Sequence, residues 1–290
     1  MAATLRPRRS VLFMPGANAR ALEKARGLPA DGLIFDLEDA VAPDMKKQAR
    51  AMVAAELGQG GYGRRERVVR VNALDTEWGE DDLKMASAMR LDAVLLPKVE
   101  SAARVHDSVA VLDRAGTPAE VAIWCMIETP QGVLAAAEIA AAHPRVAALV
   151  IGTSDLTKDL RAATMPDRLP LLTSLQLLLL AARAHGLAAL DGVHLDLTDE
   201  AGFAAVCAQG RALGFDGKTL IHPKQIAPAN VAFAPNVDEI AEATKIIAAH
   251  EAALAAGKGI VVVDGRLIEN LHVEAAHRTL ALAEAIAALS

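Results

Sequence analysis

The chain has 290 residues, of which 53% are hydrophobic, and a formal net charge of −6. This length and apolar content are sufficient to bury a large core, and the acidic balance excludes a general attraction to nucleic acid or anionic membranes. Cys125 and Cys207 lie in apolar or helical stretches. We therefore expect reduced, packed thiols in a cytoplasmic protein rather than a disulfide framework.

Two apolar runs bear on whether the chain carries a targeting or membrane-spanning segment. The basic start MAATLRPRRS is followed by VLFM, which is too short for the core of a signal peptide, so we expect no export. The run LQLLLLAA at 175–182 is well below the roughly 18 residues that a membrane span needs, and Arg183 closes it. We predict a buried helix there.

Short β-rich apolar runs alternate with amphipathic stretches along most of the chain. The predicted strands are VLFM (11–14), GLIFD (32–36), RVVRV (67–71), AVLLP (93–97), VAIWCMI (121–127), ALVIG (148–152), AALDG (188–192) and KTLIH (218–222). Strands that are apolar on both faces and separated by helices imply a parallel sheet, and eight such units imply a closed (β/α)8 TIM barrel. An open doubly wound sheet shows the same alternation, but no G-x-G-x-x-G follows the first strand to favour it.

The last part of the chain has a different pattern. NVDEIAEATKIIAAHEAALAAG predicts a helix, GIVVVDGRLIEN predicts a hairpin turning at Asp264 and Gly265, and HVEAAHRTLALAEAIAAL predicts a final helix. We therefore predict an α/β chain with a catalytic barrel over residues 1–230. Residues 231–290 form a C-terminal helical and hairpin extension, with the hairpin as a lid, that packs on the barrel or on a neighbouring subunit.

Charged and polar residues cluster where the predicted strands end, which is where TIM barrels place their chemistry. The set comprises Asp36, Glu38, Asp39, Arg70, Asn72, Glu128, Asp155, Asp191, Lys218 and His222. Glu128 and Asp155 follow consecutive strands, so their carboxylates can converge. Two such oxygens without a nearby His or Cys favour Mg²⁺, and an arginine can clamp a substrate carboxylate through two hydrogen bonds. Together they suggest an oxo- or hydroxy-acid substrate.

Each of these residues also has a structural interpretation. Asp155 can be the N-cap of the following helix, and Arg70 can form a surface salt bridge. Asp39 and Asp44 can begin the next helix, and His222 can belong to a turn that ends the last strand.

Seven co-linear motifs spread over nearly the whole chain carry a family resemblance. They are RSVLFMPG (9–16), ADGLIFDLEDAVAPDMKKQAR (30–50), RVVRVN (67–72), LLPKVE (95–100), MIETPQGV (126–133), IGTSDLTKDL (151–160) and GFDGKTLIHPKQI (214–226). The chain resembles the citrate lyase β-subunit-like (CitE-like) branch of the HpcH/HpaI aldolase family. That resemblance implies a (β/α)8 barrel, a homotrimer or homohexamer, and CoA esters of hydroxy acids as substrates.

The resemblance also implies roles for individual residues. Glu128 and Asp155 hold Mg²⁺, with Mn²⁺ as an alternative, and Arg70 engages the carboxylate or carbonyl of the substrate. Glu38 and Asp39 hold metal waters and orient Arg70, whereas Asp36, nearer the core, is structural.

Finer similarities point to the malyl-CoA group within the family. NALDTEWG (72–79), LLAARAHGL (179–187) and DGRLIENLHV (264–273) resemble a malyl-CoA thioesterase. Lyases of the group carry a catalytic Asp in the C-terminal hairpin, delivered to a neighbouring subunit, and here Glu269 occupies its place with Asn270 following. That departure puts the lyase assignment in doubt.

The first functional hypothesis is a Mg²⁺-dependent lyase. It cleaves a C–C bond of a 3-hydroxyacyl-CoA of malyl-, methylmalyl- or citramalyl-CoA type, giving an oxo acid and an acyl-CoA, with Glu269 as the proton donor. The alternatives are a (3S)-malyl-CoA thioesterase, a non-catalytic CoA-ester-binding barrel or complex subunit, and an aldolase acting on free pyruvate.

The sequence pattern carries the weakest signal for the residues that contact CoA. Among the basic residues near the start of the chain, Arg20 and Lys24 are the predicted contacts with CoA phosphates. Solvated surface charge is the interpretation for Arg6, Arg8 and Arg9.

Overall fold

The computed structural model describes residues 6–257 and 260–289. Parallel strands hydrogen-bond to one another in chain order and close into an eight-stranded barrel. The strands are β1 (Ser10–Pro15), β2 (Gly32–Asp36), β3 (Glu66–Arg70), β4 (Ala93–Leu96), β5 (Ala122–Ile127), β6 (Val146–Ile151), β7 (Ala188–Asp191) and β8 (Gly217–Leu220). Closure pairs Ser10 with Lys218 and Leu12 with Leu220. The predicted TIM-barrel fold is confirmed.

Helices connect the strands. They are α1 (Ala19–Ala25), α2 (Lys46–Gln59), α3 (Gly79–Ala86), α4 (Ala102–Arg114), α5 (Pro130–Leu134), α6 (Ala136–Ala141), α7 (Thr153–Asp159), α8 (Leu172–Ala184), α9 (Glu200–Leu213) and α10 (Ile226–Phe233), with 3₁₀ turns at Pro43–Met45, Leu169–Leu171 and Pro223–Gln225. Right-handed crossovers of this kind place the carboxyl ends of all the strands at one end of the barrel, where the site is expected.

The strands are apolar on both faces because each face packs against a different core. Inside the barrel, side chains such as Val68, Trp124 and Val150 form one cluster. Alternate residues such as Val69 and Leu149 point outward and pack with the helices in a second, larger cluster. This two-sided burial explains why the strand sequences are continuous apolar runs rather than alternating ones.

Contacts divide the chain into two compact units, one of which is Arg8–Phe233 and the other of which contains the chain from Ala234 onward. The second unit has α11 (Val237–Ala255), the antiparallel hairpin β9 (Val261–Val263) and β10 (Arg266–Ile268), and α12 (Asn270–Ala287). Asp264 and Gly265 both have positive φ, 50° and 79°, as the predicted two-residue hairpin turn requires. The helix, hairpin and helix are confirmed, while the role of the hairpin as a lid stays a prediction.

The leucine-rich run at 175–182 lies in α8, but its burial is only partial. Leu175, Leu178 and Leu179 are buried, whereas Leu177 is 39% and Leu180 66% exposed. The predicted helix is present, and its burial is confined to one face, because α8 packs against the barrel with that face only. Within the described ranges, no helix combines the length and the apolar character that crossing a membrane requires.

Both cysteines are core residues, as predicted. Cys125 and Cys207 are buried free thiols, and burial raises their pKa values to about 12 and about 11. Arg8 and Arg9 correct another expectation, because they are not solvated. Arg8 pairs with Glu66 at 2.6 Å and Arg9 with Asp31 at 2.7 Å. These ion pairs lie at the amino-terminal ends of the strands, at the end of the barrel opposite the candidate site.

Candidate active site

Arg70 is the centre of the polar cluster at the carboxyl ends of the strands. As the last residue of β3 it pairs in register with Asp36, the last residue of β2. Its Nε and Nη2 donate to the two oxygens of Asp36 at 2.7 and 2.6 Å, and its guanidinium lies 4.8 Å from the centre of the Phe13 ring. Burial alone would lower the pKa of Arg70, but the hydrogen bonds and charges of Asp36, with help from Glu38, raise it.

The acidic stretch after β2 is organised by Asp36. Its oxygens also accept the backbone N–H groups of Glu38 (2.9 Å) and Ala40 (3.1 Å), which bend the chain out of the strand. Asp36 is thus the structural residue that the sequence predicted, and it is also the main anchor of Arg70. Glu38 lies 2.8 Å and Asp39 3.6 Å from Arg70 Nη1, so both face the same guanidinium.

Buried Lys46 and Asn72 support this stretch from behind. Lys46 Nζ donates to the carbonyls of Leu37 (2.9 Å) and Glu38 (2.7 Å) and to Asn72 Oδ1 (2.8 Å). Asn72 Nδ2 in turn donates to the Leu37 carbonyl at 2.8 Å. The sequence named Asn72 but gave it no role, and it did not single out Lys46. Both hold the backbone that presents Glu38.

Glu128 follows β5 and is buried in the mouth of the barrel, with 3% of its surface exposed. Burial raises its pKa to about 7, against the opposing effects of the charge and backbone N–H of Lys98. Gly152, after β6, lies directly beneath it, since a Cβ at that position would lie 2.6 Å from Glu128 Oε2. The neighbouring strand thus leaves a space that the Glu128 carboxylate fills.

Asp155 lies in the first turn of α7, after β6. The N-cap of this helix is Gly152, so the interpretation of Asp155 as the cap is wrong. Glu128 and Asp155 line the same cavity, as their positions on consecutive strands predicted. Their carboxylates are therefore available to a common ligand.

Lys98 is the site residue that the sequence analysis missed. It follows β4, and its backbone N–H donates to Glu128 Oε1 at 2.9 Å while its Nζ donates to Glu38 Oε1 at 2.7 Å. Burial lowers the pKa of Lys98, but Glu38 and the other carboxylates outweigh that effect and raise it. The signal was present in the motif LLPKVE, because Lys98 stands just beyond a strand end as Glu38, Arg70 and Glu128 do.

A cavity of about 420 Å³ opens beside Arg70, Glu128 and Asp155. Its polar lining includes Asp36, Asp39, Arg70, Glu128, Thr153, Ser154, Asp155 and Thr219, and its apolar lining includes Phe13, Met126, Ile151, Val193, Leu195 and Ile221. The cavity therefore combines a cationic and acidic side with an apolar wall, as a small-molecule site does.

The donor set fits a hard divalent cation. Glu128 and Asp155 supply carboxylate oxygens, and both line the cavity. In the described part of the chain no group of three or more His, Cys, Asp or Glu side chains is arranged as metal ligands. Two carboxylates suit Mg²⁺ nonetheless, since that ion normally retains several waters or substrate oxygens.

Other members of the sequence-based set lie elsewhere. Asp191 and Lys218 pair with each other at 3.1 Å beneath α9, and Arg168 binds the same carboxylate at 2.7 Å. Asp191 follows the inward-facing Leu190, so it points to the outer face of the sheet. His222 accepts the backbone N–H of Lys224 at 3.2 Å, which confirms its interpretation as a strand-ending turn. These residues stabilise the barrel and do not line the cavity.

The roles of three further predicted site residues stay predictions. Arg20 and Lys24 are exposed on α1, one turn apart, and their contact with CoA stays a prediction. Glu269 belongs to the second compact unit, where it is the N-cap of α12. Its side chain accepts the backbone N–H of His272, and its own backbone N–H donates to His272 Nδ1 at 3.0 Å.

Comparison with known proteins places this site in a family. The HpcH/HpaI aldolase/citrate lyase family matches residues 9–223. A (3S)-malyl-CoA thioesterase of Cereibacter sphaeroides (strain KD131) is 52% identical over 288 residues, which cover 99% of each chain. The citrate lyase subunit beta of Escherichia coli (strain K12) is 39% identical over 96% of this chain and 94% of that protein.

A solved structure agrees in both fold and length. The protein CitE from Mycobacterium tuberculosis, in complex with magnesium, acetoacetate and coenzyme A, has a TM-score of 0.78 and 30% identity. The match covers 97% of this chain and 100% of that one. The chain belongs to the HpcH/HpaI aldolase/citrate lyase family.

Proposed function

We propose that this protein is a Mg²⁺-dependent thioesterase that hydrolyses malyl-CoA to malate and CoA. The observation that carries the proposal is the 52% identity, over essentially the whole length of both chains, to proteins named (3S)-malyl-CoA thioesterase. The presence of magnesium and coenzyme A in a structural relative supports the choice of cofactor and substrate class. C–C cleavage, the first hypothesis drawn from the sequence, becomes the second candidate.

Arg70 binds the carboxylate of the malyl group in this proposal. Nε and Nη2 are held by Asp36, so the guanidinium is fixed in orientation before substrate arrives. Nη1 faces Glu38 and Asp39. A substrate carboxylate can displace these two acids and bind Nη1 in their place. A preorganised arginine loses little entropy on binding, which favours recognition of a small dicarboxylic acyl group.

Glu128 and Asp155 are the proposed Mg²⁺ ligands, and Mn²⁺ can replace Mg²⁺ with the same oxygen donors. When bound there, the cation supplies a Lewis acid that stabilises negative charge on substrate oxygens. Lys98 holds Glu128 in place through its backbone N–H. Thr153 and Ser154 line the cavity next to Asp155 in the chain and provide hydroxyl groups there.

Glu38 is the proposed base for hydrolysis. Burial raises its pKa, and the charges of Arg70 and Lys98 oppose this only in part. Its Oε2 pairs with Arg70 Nη1 at 2.8 Å, and once the substrate carboxylate takes that nitrogen, Oε2 can accept a proton from the attacking water. Water then adds to the thioester carbonyl, the C–S bond breaks, and the proton that Glu38 accepted passes to the sulfur, so that CoA leaves as the thiol. Asp39, which lines the cavity, shares the role of holding water.

The lyase reaction uses the same pocket but breaks a different bond. Malyl-CoA would give glyoxylate and acetyl-CoA, and the acetyl-CoA enolate would need a proton, for which Glu269 is the candidate. The 39% identity to a citrate lyase subunit beta favours retaining this second candidate. In either reaction Arg20 and Lys24 are the proposed contacts with CoA phosphates, and a homotrimer or homohexamer is the proposed assembly.

A product assay separates the candidates. The protein is incubated with (3S)-malyl-CoA and Mg²⁺, and malate, free CoA, acetyl-CoA and glyoxylate are measured separately. We expect malate and CoA in equal amounts, while acetyl-CoA with glyoxylate would establish the lyase. Glu128→Gln should lose most of the activity, and Glu120→Gln, at an exposed position, serves as the matched control. Absence of any turnover would overturn both reactions.

A further inference from the structure

Lys98 has a backbone conformation that non-glycine residues rarely adopt. Its φ is 47°, in the left-handed region, directly after Pro97. In this conformation its N–H points at Glu128 and donates to Oε1 at 2.9 Å. Such a conformation persists only where the surrounding contacts hold it, and it is concentrated at functional sites. The chain therefore accepts local strain in order to bring Lys98 to the carboxylates.

The Lys98 side chain reaches acids presented by two other strands. Its Nζ lies 2.7 Å from Glu38 Oε1, after β2, and 3.8 Å from Asp155 Oδ2, after β6. The side chain is 41% exposed, so its ammonium can move away without unfolding its surroundings. Lys98 thus contacts both proposed metal ligands, Glu128 through its backbone and Asp155 through its charge, and the adjacent Glu38 as well.

The charges at the mouth of the barrel leave room for one divalent cation. The carboxylates are Asp36, Glu38, Asp39, Glu128 and Asp155, and the cations that contact them are Arg70 and Lys98. Lys46 lies behind them on the backbone carbonyls of Leu37 and Glu38. When all are ionised, the five carboxylates outnumber these three cations by two. The ammonium of Lys98 is the cation nearest to Asp155, and it is the most exposed of the three.

We propose that Lys98 is a positioning residue whose ammonium occupies the carboxylate cluster in the metal-free protein and is displaced when the divalent cation binds. The inference rests on the proposed metal site at Glu128 and Asp155. A divalent cation held by Glu128 and Asp155 would repel the ammonium that lies 3.8 Å from Asp155 Oδ2, so metal binding moves Nζ away from Asp155. The backbone N–H of Lys98 stays on Glu128 and keeps that ligand in place. Lys98 therefore weakens metal binding through its charge while its backbone preserves the geometry.

Metal titration tests this directly. MgCl₂ is titrated calorimetrically into chelator-treated wild type, Lys98→Met and Lys98→Arg, without substrate. We expect Lys98→Met to bind Mg²⁺ about tenfold more tightly, since the competing charge is gone and the backbone donor remains. Lys98→Arg keeps the charge and should bind with nearly the wild-type affinity. Equal or weaker binding by Lys98→Met would overturn the inference, and Lys98→Gln replaces it if the methionine variant does not fold.

Thermal unfolding provides a second measurement. In chelator, Lys98→Met should unfold at a lower temperature than wild type, because the acids have lost a counter-ion, and saturating Mg²⁺ should raise its Tm by more than that of wild type. An equal rise in both would contradict the inference. If wild type binds Mg²⁺, Glu128→Gln does not, and Lys98→Met is unchanged, the metal site stands and only the role of Lys98 fails. If neither wild type nor Lys98→Met binds Mg²⁺, the metal site fails and the inference with it.

Discussion

Glu128 is buried, yet its proposed role as a metal ligand requires a negatively charged carboxylate. Its surroundings raise its pKa to about 7, so near neutral pH it binds a proton far more readily than an ordinary glutamate. A divalent cation must displace this proton, which makes metal binding depend on pH. Burying the charged Glu128 carboxylate costs free energy in the metal-free protein, and a bound cation offsets that cost. Stability and metal binding are therefore linked at this one side chain.

This linkage predicts how stability varies with pH. The pKa of Glu128 is raised on folding from about 4.5 to about 7, so the folded state binds more protons between these values and loses stability as the pH rises through them. We expect the free energy of unfolding of the metal-free protein to fall from pH 5 to pH 7.5, by about 3 kcal/mol at most from this residue. Urea unfolding in chelator at a series of pH values measures it. Glu128→Gln should lack this part of the slope, and an identical slope in both proteins would contradict the assignment.

The junction between β6 and α7 positions the Glu128 carboxylate as well as Asp155. Gly152 follows the last residue of β6 and is the N-cap of α7, and Asp155 lies in the first helical turn. A Cβ on Gly152 would lie 2.4 Å from Glu128 Cβ, a distance at which one of the two must move. One short junction therefore carries one proposed ligand and leaves the space for the other.

Gly152→Ala tests this arrangement. We expect Glu128 to be displaced, Mg²⁺ affinity to fall at least about tenfold, and the free energy of unfolding to fall by about 1–3 kcal/mol, as in overpacked cores. Gly58→Ala is the matched control, because a Cβ there meets no atom within 4 Å and alanine favours α2. Calorimetric titration and urea unfolding measure both effects. Wild-type Mg²⁺ affinity in Gly152→Ala would show that Glu128 does not depend on this junction.

For the whole molecule, the residues proposed for hydrolysis lie in one compact unit, and the proton donor of the lyase candidate belongs to the other. Arg70, Glu128 and Asp155 belong to the unit Arg8–Phe233, whereas Glu269 belongs to the unit that contains the chain from Ala234 onward. Within its own unit Glu269 caps α12 and is exposed. Its proposed role as a proton donor is therefore separable from metal binding by mutation.

In the lyase candidate, Glu269→Gln should bind Mg²⁺ with wild-type affinity and lower the formation of acetyl-CoA and glyoxylate by about 10²–10⁴, the range typical of lost acid–base catalysis. Hydrolysis to malate and CoA, in which Glu269 has no proposed role, should keep its wild-type rate. Steady-state rates with product identification and a Mg²⁺ titration measure these effects, and Glu274→Gln, an exposed position on the same helix, is the control that should change neither. A wild-type rate of C–C cleavage in Glu269→Gln would restrict Glu269 to capping the helix.

Most of the strands, the C-terminal hairpin and the candidate ligands could be predicted because their signals are local. Apolar runs bounded by helical patterns predicted the eight strands, and the rule that polar residues at strand ends carry the chemistry singled out Arg70, Glu128 and Asp155. The same rule applied to β4 would have found Lys98. The number and order of the strands determine which residues can meet at one end of the barrel.

Only the tertiary structure decided which of these residues contact one another. The sequence assigned the orientation of Arg70 to Glu38 and Asp39, whereas the register of β2 with β3 gives the main role to Asp36. Asp191 and Lys218 belong to the outer face of the sheet and bind each other there. Lys98 meets Glu38, 60 positions earlier in the chain, because β2 and β4 end at the same rim. Such pairings depend on packing between distant segments, for which a local sequence pattern carries no signal.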